Sequence, residues 1–402
     1  MRTMQPTERK LPTSLTNEPI YERKRTMKPI ALIAIATGLC LVLEPQHALA
    51  QFSSGSTGAD GPLNISSNTT LNLPPNGIFN FTTITVSNGV TLTFNRNPLN
   101  TPVYMLATGD VSITGFIDVS GKSFVGRAPG IGGPGGFDGG FGAFQGFPDG
   151  DGQGPGGGTP ALNYGAAFAF PGGAGVNTNV YGNTLLSPLI GGSGGTAGSS
   201  YGGGGGGGAI LVASSTKVTI DSSGGILSRG GRGYAGGSGG AIRVVAPVID
   251  GNGRLDVFQG YNDCCGSWVY SSPGRTRIDC IDRFAHRDLT LSGKATRGTQ
   301  MFVFPPGNQR LDIIHAAGKE IPEGTSVPVT VNLPLGSSTN QIVRVQARGF
   351  TNDIPIRVKI TPENAPSATF DGVITHTGNP SVGEFTVTLP LDNVCYVHVW
   401  TR

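Results

Sequence analysis

Two short stretches, Gly207-Gly-Ala-Ile-Leu-Val-Ala213 and Gly239-Gly-Ala-Ile-Arg-Val-Val245, decide the fold of this 402-residue chain. They begin 32 residues apart, and each is followed by two more short apolar runs between tight polar turns. A third copy of the three-run pattern lies at 103–121. A period of 20–50 residues built from short strands is typical of a solenoid. The pattern predicts a right-handed parallel β-helix that buries Val, Ile and Leu, with hairpins of a β-sandwich as the alternative.

Glycine is the most unusual component of the chain, with 66 residues, while charged residues make up only 13%. That composition excludes a coiled coil and makes a helical enzyme a poor fit. Of the glycines, 43 lie within 121–240, around an insertion at 122–206 between the first and second copies. Since a free linker has no use for seven phenylalanines, we expect loops pinned by Phe against the solenoid. Stacked extended polyglycine ribbons and disorder are the alternatives.

The first 50 residues look like an export signal. Basic residues precede an apolar stretch from Pro29 to Leu43, which is too short to span a bilayer comfortably, and Ala48-Leu-Ala50 follows it. We expect a signal peptide over 1–50 and cleavage before Gln51, with translation starting at Met1 or Met27. An uncleaved anchor is the alternative. We therefore expect an extracellular or outer cell-surface location, with the periplasm as the alternative.

The leader also accounts for the net charge of +3. It holds seven of the 28 basic and four of the 25 acidic residues, which leaves 21 of each sign in the mature chain. A neutral chain offers no electrostatic attraction for nucleic acid. No second apolar run follows, so we expect no transmembrane anchor in the mature chain and no nucleic-acid partner.

Four cysteines remain after the leader, namely Cys264, Cys265, Cys280 and Cys395, and they allow three connectivities. Export favours disulfides, with Cys264 or Cys265 joined to Cys280 across a short loop. The alternatives are a strained bridge between Cys264 and Cys265, a metal site, and free thiols. Adjacent cysteines lack the two-residue gap of a zinc knuckle.

The chain divides by composition into a solenoid at 51–262, a junction at 263–300 and a C-terminal domain at 301–402. In the last region glycine falls and β-branched alternation predicts seven strands. Seven strands in about a hundred residues predict an immunoglobulin-like or fibronectin-like β-sandwich. The predicted strands are Arg310–Ile314, Val327–Leu333, Ile342–Ala347, Ile354–Ile360, Thr369–Thr375, Glu384–Leu389 and Cys395–Trp400.

Residues 51–262 contain no His, Cys or Glu, and their only acids are nine aspartates. Asp118, Asp221 and Asp250 occupy similar positions in the three copies. We expect each of them to cap a turn, and a catalytic or cation-binding ladder is the alternative. The sequence therefore predicts no catalytic residue and no bound cofactor. The histidines outside the leader each stand alone, and we expect them to be structural.

Two short motifs have features of calcium-binding sequences. Asp149-Gly-Asp151 resembles part of a calcium loop, but the other ligands are missing. Asp138 ends a Gly-rich run similar to a calcium-binding nonapeptide, one place too late for that motif.

Several stretches resemble a group of uncharacterised exported Gly-rich proteins of environmental bacteria. They are Leu71-Asn-Leu-Pro-Pro-Asn-Gly-Ile-Phe-Asn-Phe-Thr-Thr-Ile-Thr-Val86, Leu106-Ala-Thr-Gly-Asp-Val-Ser-Ile113, Ile117-Asp-Val-Ser-Gly121 and Gly207-Gly-Ala-Ile-Leu-Val-Ala-Ser214. In that group a Gly-Arg-Ile-Arg-Ile-Glu strand closes the solenoid, and Gly274-Arg-Thr-Arg-Ile-Asp279 occupies its place here. The resemblance spans nearly the whole mature chain and implies architecture and export, but no activity.

Three functions follow as expectations. The first is an exported, non-enzymatic structural or adhesin-like protein of the cell surface or medium, in contact with glycans or proteins. The second is a polysaccharide lyase or hydrolase, which would need Asp118, Asp221 and Asp250 in one groove beside Lys217 or Arg243. The third is a calcium-dependent assembly module.

Overall fold

The structure, a computed structural model, describes residues 52–160, 165–173, 177–263, 270–282, 284–304, 309–325 and 327–402. The protein is all-β across these ranges, with 23 strands. The predicted signal peptide lies outside them. In the part of the chain that is described, no helix is long and apolar enough to cross a membrane.

Most of the first sixteen strands are short, and the glycine-rich insertion separates the seventh strand from the eighth. The sixteen strands are β1 (Gly61–Ile65), β2 (Thr69–Asn72), β3 (Ile78–Val86), β4 (Thr91–Asn95), β5 (Val103–Ala107), β6 (Val111–Ile113), β7 (Phe116–Asp118), β8 (Ala209–Ser214), β9 (Lys217–Ile220), β10 (Gly225–Leu227), β11 (Ala241–Val245), β12 (Val248–Asp250), β13 (Arg254–Asp256), β14 (Arg275–Asp279), β15 (Thr290–Leu291) and β16 (Lys294–Gly298).

These strands pair in parallel and form two curled sheets. The long strand β3 pairs with β5 through its first half and with β6 through its second half. Two columns therefore start at β3, one through β5, β8, β11, β14 and β16 and one through β6, β9 and β12. The third column is a separate six-stranded sheet in the order β15-β13-β10-β7-β4-β2.

The 32-residue offset of the sequence repeat is confirmed as strand register. Ile242 of β11 pairs with Ile210 of β8, and Val244 pairs with Val212. All four side chains lie in one hydrophobic cluster enclosed by the sheets. Because equal positions of the repeat stack on each other, each added repeat extends the same core.

The sequence of β8 is apolar throughout because both of its faces are buried. Ile210 and Val212 point into the enclosed cluster, whereas Leu211 packs with Phe168 and Leu189 of the glycine-rich insertion on the outer face. Strands buried on both faces have continuous apolar runs instead of alternation. The insertion therefore covers the outside of this column.

The insertion is ordered, and backbone hydrogen bonds hold most of it in place. Five extended segments form what we call the glycine bundle: 130–140, 150–158, 191–198, 202–208 and 230–240. Gly192 donates to the carbonyl of Gly207 at 2.7 Å, and Gly195 donates to that of Gly204 at 2.9 Å, a step of three residues. That step matches a left-handed extended helix of three residues per turn. The same step links 130–140 to 202–208, 130–140 to 191–198, and 202–208 to 230–240.

Glycine is required in the bundle because the backbones touch. A Cβ atom on Gly195 would overlap the carbonyl oxygen of Ala235, and one on Gly203 would overlap that of Gly195. Segments 191–198 and 202–208 are buried throughout. The expectation of loops pinned by Phe holds for the buried Phe168, but Phe144, Phe147 and Phe170 are exposed. Most of the order comes from hydrogen bonds between extended backbones, as in the alternative of stacked polyglycine ribbons.

The parallel sheets extend beyond residue 262. The predicted junction at 263–300 contains β14, which pairs with β11, and β16, which pairs with β14. Its Arg277 and Asp279 form a buried ion pair at 2.6 Å, and Asp279 also accepts from the buried Arg243 at 3.1 Å. The predicted junction thus continues the column that runs through β11. On the outer face of β14, charged residues replace the apolar residues of β8.

The C-terminal region consists of two antiparallel sheets packed over one apolar core. One sheet has the order β18-β17-β19-β22, and the other has the order β21-β20-β23. Their strands are β17 (Arg310–Ala316), β18 (Lys319–Glu320), β19 (Asn340–Arg348), β20 (Ile354–Pro362), β21 (Ala368–Ile374), β22 (Ser381–Thr388) and β23 (Cys395–Thr401).

One predicted strand of this region is wrong. Residues 327–333 form no strand, and Val327 is 54% exposed. Pro328 and Pro334 lack the N–H that a ladder needs, and the apolar alternation around them finds no core to face. The other six predicted strands are confirmed within a few residues at their ends.

Candidate functional site

Three two-residue hairpins meet at one end of the glycine bundle. They close at the pairs Val125–Ala128, Phe144–Phe147 and Gly198–Tyr201. Backbone bonds join the first hairpin to segments beside the other two, because the carbonyl of Arg127 accepts from Gly142 and that of Gly126 accepts from Gly202. We call this surface the hairpin tips.

The hairpin tips expose large apolar side chains. Val125 is 79% exposed, Phe144 and Phe147 are 47% and 43% exposed, and Tyr201 is 54% exposed. The guanidinium of Arg127 lies 5.1 Å above the Phe144 ring. Clustered exposed aromatic side chains on a rigid support are typical of a recognition surface.

A pocket of about 430 Å³ lies beside the third hairpin. This volume falls within the range of small-ligand sites. Phe124 and Tyr201 form one wall, with their rings edge to face and their centroids 6.0 Å apart. The lining residues are Phe124, Ser199, Tyr201, Arg232, Tyr234 and Asp263.

The pocket lining also includes an ion pair between Arg232 and Asp263. The Arg232 side chain is 61% exposed, so its remaining N–H groups face solvent. Backbone bonds fix both residues: Phe124 N donates to Arg232 O at 3.0 Å, and Asp263 N donates to Gly233 O at 2.9 Å. The charges of the pair cancel, and the other described lining residues are uncharged.

The wall around Tyr201 depends on tight local geometry. Tyr234 is buried with its ring directly over Gly198, where a Cβ atom would overlap the ring. Ser199 and Ser200 have φ values of 49° and 66°, the left-handed conformation at both central positions of a type I′ turn. Two serines in this conformation are unusual and carry strain, which concentrates at functional sites.

The calcium candidates Asp138, Asp149 and Asp151 each contact different groups of the protein. Asp138 pairs with Arg96 and accepts from Gly132 N at 2.8 Å. Asp149 accepts from Ala143 N at 2.8 Å and so supports the second hairpin. Among the described residues, no group of three or more His, Cys, Asp and Glu side chains could hold a metal ion.

Asp151 takes part in a buried contact between the glycine bundle and the C-terminal sheets. Its carboxylate accepts from the hydroxyl of Ser367 at 2.5 Å. Lys359 of β20 donates from Nζ to the carbonyl of Gly154 at 3.0 Å. Burial lowers the pKa of Lys359 to about 8 and raises the pKa of Asp151 above its usual range. Burial also lowers the pKa of His398, on the paired strand β23, to about 4, and Lys359 adds to this effect.

The aspartates expected to cap turns do so. Asp118 accepts from Ser120 N at 2.8 Å, and Asp221 and Asp250 accept from the next residue at 2.7 Å each. No single ladder joins the three, since Asp118 aligns with Leu227 in the third column and Asp250 aligns with Thr219 in the second. Lys217 pairs with Asp250 at 2.8 Å, whereas Arg243 pairs with Asp279.

The structure describes two of the four cysteines considered for disulfides. Cys264 and Cys265 lie outside the described residues. Cys280 and Cys395 belong to different hydrophobic clusters and are not joined to each other. The Sγ atom of buried Cys280 lies 3.3 Å from Nδ1 of His286, a contact that no sequence spacing indicated.

Sequence reasoning identified no residue of the pocket. Its six lining residues come from four separate stretches, and the glycine bundle brings them together. The one available signal was the hairpin Gly198-Ser-Ser-Tyr201, an aromatic residue after a turn within a glycine-rich run. No known protein family, curated protein or solved structure matches the chain.

Proposed function

We propose that the protein is exported and acts without catalysis, as an adhesin-like protein of the cell surface or medium that contacts glycans through the hairpin tips and their pocket. We infer that the three parallel columns are the faces of a right-handed β-helix. On this view the C-terminal sheets are an immunoglobulin-like sandwich, and the leader directs the chain out of the cell.

One observation carries the proposal: exposed aromatic side chains stand on a support made of hydrogen-bonded backbone. Such a support keeps the rings in place without a flexible loop, so little ordering entropy is lost when a ligand binds. Aromatic rings also offer apolar faces that suit the C–H faces of sugars, and the Tyr201 hydroxyl adds a hydrogen-bonding group.

The placement of the carboxylates supports a proposal of binding over one of glycan cleavage. Glycoside hydrolysis uses two carboxyl groups that flank the bond. The pocket contributes one carboxylate, Asp263, which is neutralised by Arg232. Asp118, Asp221 and Asp250 are engaged in their own turns.

The test combines localisation, binding and catalysis. Source cells are fractionated and probed with an antibody, and the purified protein is applied to a glycan panel with a parallel reducing-sugar assay. We expect the protein outside the cytoplasm and glycan binding without sugar release. Release of reducing sugar would favour the hydrolase or lyase, and a cytoplasmic protein would overturn the export proposal.

A further inference from the structure

The pocket beside the third hairpin combines residue types that are typical of a ligand site. Its described lining residues are Phe124, Ser199, Tyr201, Arg232, Tyr234 and Asp263. This lining unites two rings in edge-to-face contact, the buried ring of Tyr234 and one internally neutralised ion pair. From this geometry we propose that the pocket binds an uncharged saccharide unit, which stacks on Tyr201 and hydrogen-bonds to the Arg232–Asp263 pair. The inference rests on the proposed glycan contact and specifies its site and ligand class.

The ring of Tyr201 is the stacking surface. It is 54% exposed, and it makes an edge-to-face contact with Phe124. The hairpin bond from Tyr201 N to Gly198 O, at 2.8 Å, fixes its backbone. An exposed ring whose backbone and neighbouring ring are fixed can stack on an apolar ligand surface at small entropic cost.

The ion pair selects hydroxyl groups. Arg232 donates N–H bonds in a fixed plane, and the Asp263 carboxylate accepts bonds only. Vicinal hydroxyls of a sugar can accept from the first and donate to the second at the same time. A carboxylate or sulfate on the ligand would meet the Asp263 carboxylate and compete with it for Arg232.

Pocket size sets the length of the ligand. About 430 Å³ is small for a ligand site, whose usual range is roughly 300–1,000 Å³. This volume suits a short saccharide unit, so we infer that the pocket takes only part of a longer glycan chain.

Variants of Tyr201 test the stacking. We expect Tyr201→Ala to weaken binding of a neutral oligosaccharide at least tenfold, because the stacking face is removed. Tyr201→Phe keeps the ring, and we expect its affinity to stay within about threefold, since one hydrogen bond to a neutral group contributes little. Tyr270→Ala is the matched control, because Tyr270 is also 54% exposed but does not line the pocket.

The experiment uses the full mature chain. A panel of neutral gluco-, manno- and xylo-oligosaccharides is compared with alginate, polygalacturonate and heparin fragments, and hits are measured by isothermal titration calorimetry. Thermal melting of each variant identifies misfolded protein. Asp263→Asn and Arg232→Gln supply a second test that does not depend on the hairpin, and each should weaken binding severalfold.

Each outcome bears on a different claim. Binding of neutral sugars that is lost in Tyr201→Ala and kept in Tyr270→Ala supports the site. Neutral-sugar binding that survives Tyr201→Ala and both ion-pair variants overturns the pocket assignment but leaves the glycan function intact. Binding of acidic glycans alone overturns the ligand class. Absence of binding to every panel member overturns the proposed glycan contact together with this inference.

Discussion

Lys359 Nζ donates a buried hydrogen bond of 3.0 Å to the carbonyl oxygen of Gly154, and this bond joins the C-terminal β20 strand to the glycine bundle. The charged side chain of Lys359 thus binds the main chain of a glycine. The bond shows how the bundle is held from both sides, by the parallel columns on one and by an antiparallel sheet on the other.

Removing the lysine should loosen this contact. We expect Lys359→Met to lower the free energy of unfolding by about 1–3 kcal/mol, because the Gly154 carbonyl loses its donor and the nearby Asp151 loses a compensating charge. Urea denaturation followed by fluorescence measures the change. Arg357→Met on the same strand is the control. It removes a surface pair with Asp371 and should cost less than about 1 kcal/mol. Equal losses in the two variants would contradict the role of the buried bond.

The same contact should weaken in acid. The pKa of His398 falls from its ordinary 6.5 to about 4 in the folded protein, because burial and Lys359 disfavour the imidazolium. His398 therefore binds a proton more readily in the unfolded chain than in the folded protein. The stability that comes from keeping His398 neutral is complete above pH 6.5. It is lost as the pH falls towards 4, by up to about 3 kcal/mol. Melting temperatures of the wild type and His398→Phe measured between pH 7 and pH 4 test this. The variant should lose less stability over that window, and parallel curves would contradict the assignment.

Glycine at the centre of the bundle should be irreplaceable. In Gly195→Ala the new methyl group would overlap the Ala235 carbonyl, a backbone atom that cannot turn away. We expect a loss of about 3 kcal/mol or more, or failure to fold. Gly89→Ala is the comparison, since Gly89 has a φ of 75° with open space around it, so only backbone strain of about 1 kcal/mol is added. A mild effect at Gly195 would mean that the segments are not in close contact.

A glycine substitution in the strained hairpin that closes at Gly198 and Tyr201 should stabilise the protein. Ser200 has a φ of 66°, which glycine adopts without penalty, and its side chain makes no hydrogen bond among the described residues. We expect Ser200→Gly to raise the free energy of unfolding by up to about 1 kcal/mol. Thermal melting checks the gain, and unchanged or lower stability would argue against a type I′ turn at this site.

The sequence predicted the parallel repeat well because that repeat has a side-chain pattern. Ile210 and Ile242 each follow Gly-Gly-Ala in the chain, and their equal burial follows from stacking. Val327–Leu333 shows the limit of the same reasoning, since an alternating run needs a partner strand as well as a pattern. The structure gives it none.

The glycine bundle was harder to predict because its order comes from backbone atoms. A local signal did exist: Gly130, Gly133, Gly136 and Gly139 recur every third residue, the spacing of the observed hydrogen bonds. Nothing in a run of glycines shows which segments meet, since no side chain distinguishes one partner from another. The pocket was beyond reach for the same reason, as only the bundle places Phe124 near Asp263.

The ordered glycine bundle is the central claim, and amide hydrogen exchange tests it most directly. Segments 191–198 and 202–208 are buried, and their amides donate to carbonyls of neighbouring segments. The account predicts that peptides covering these segments exchange as slowly as those covering β8. Exchange at the rate of an unstructured peptide would contradict it, and with it the rigid support on which the hairpin tips depend.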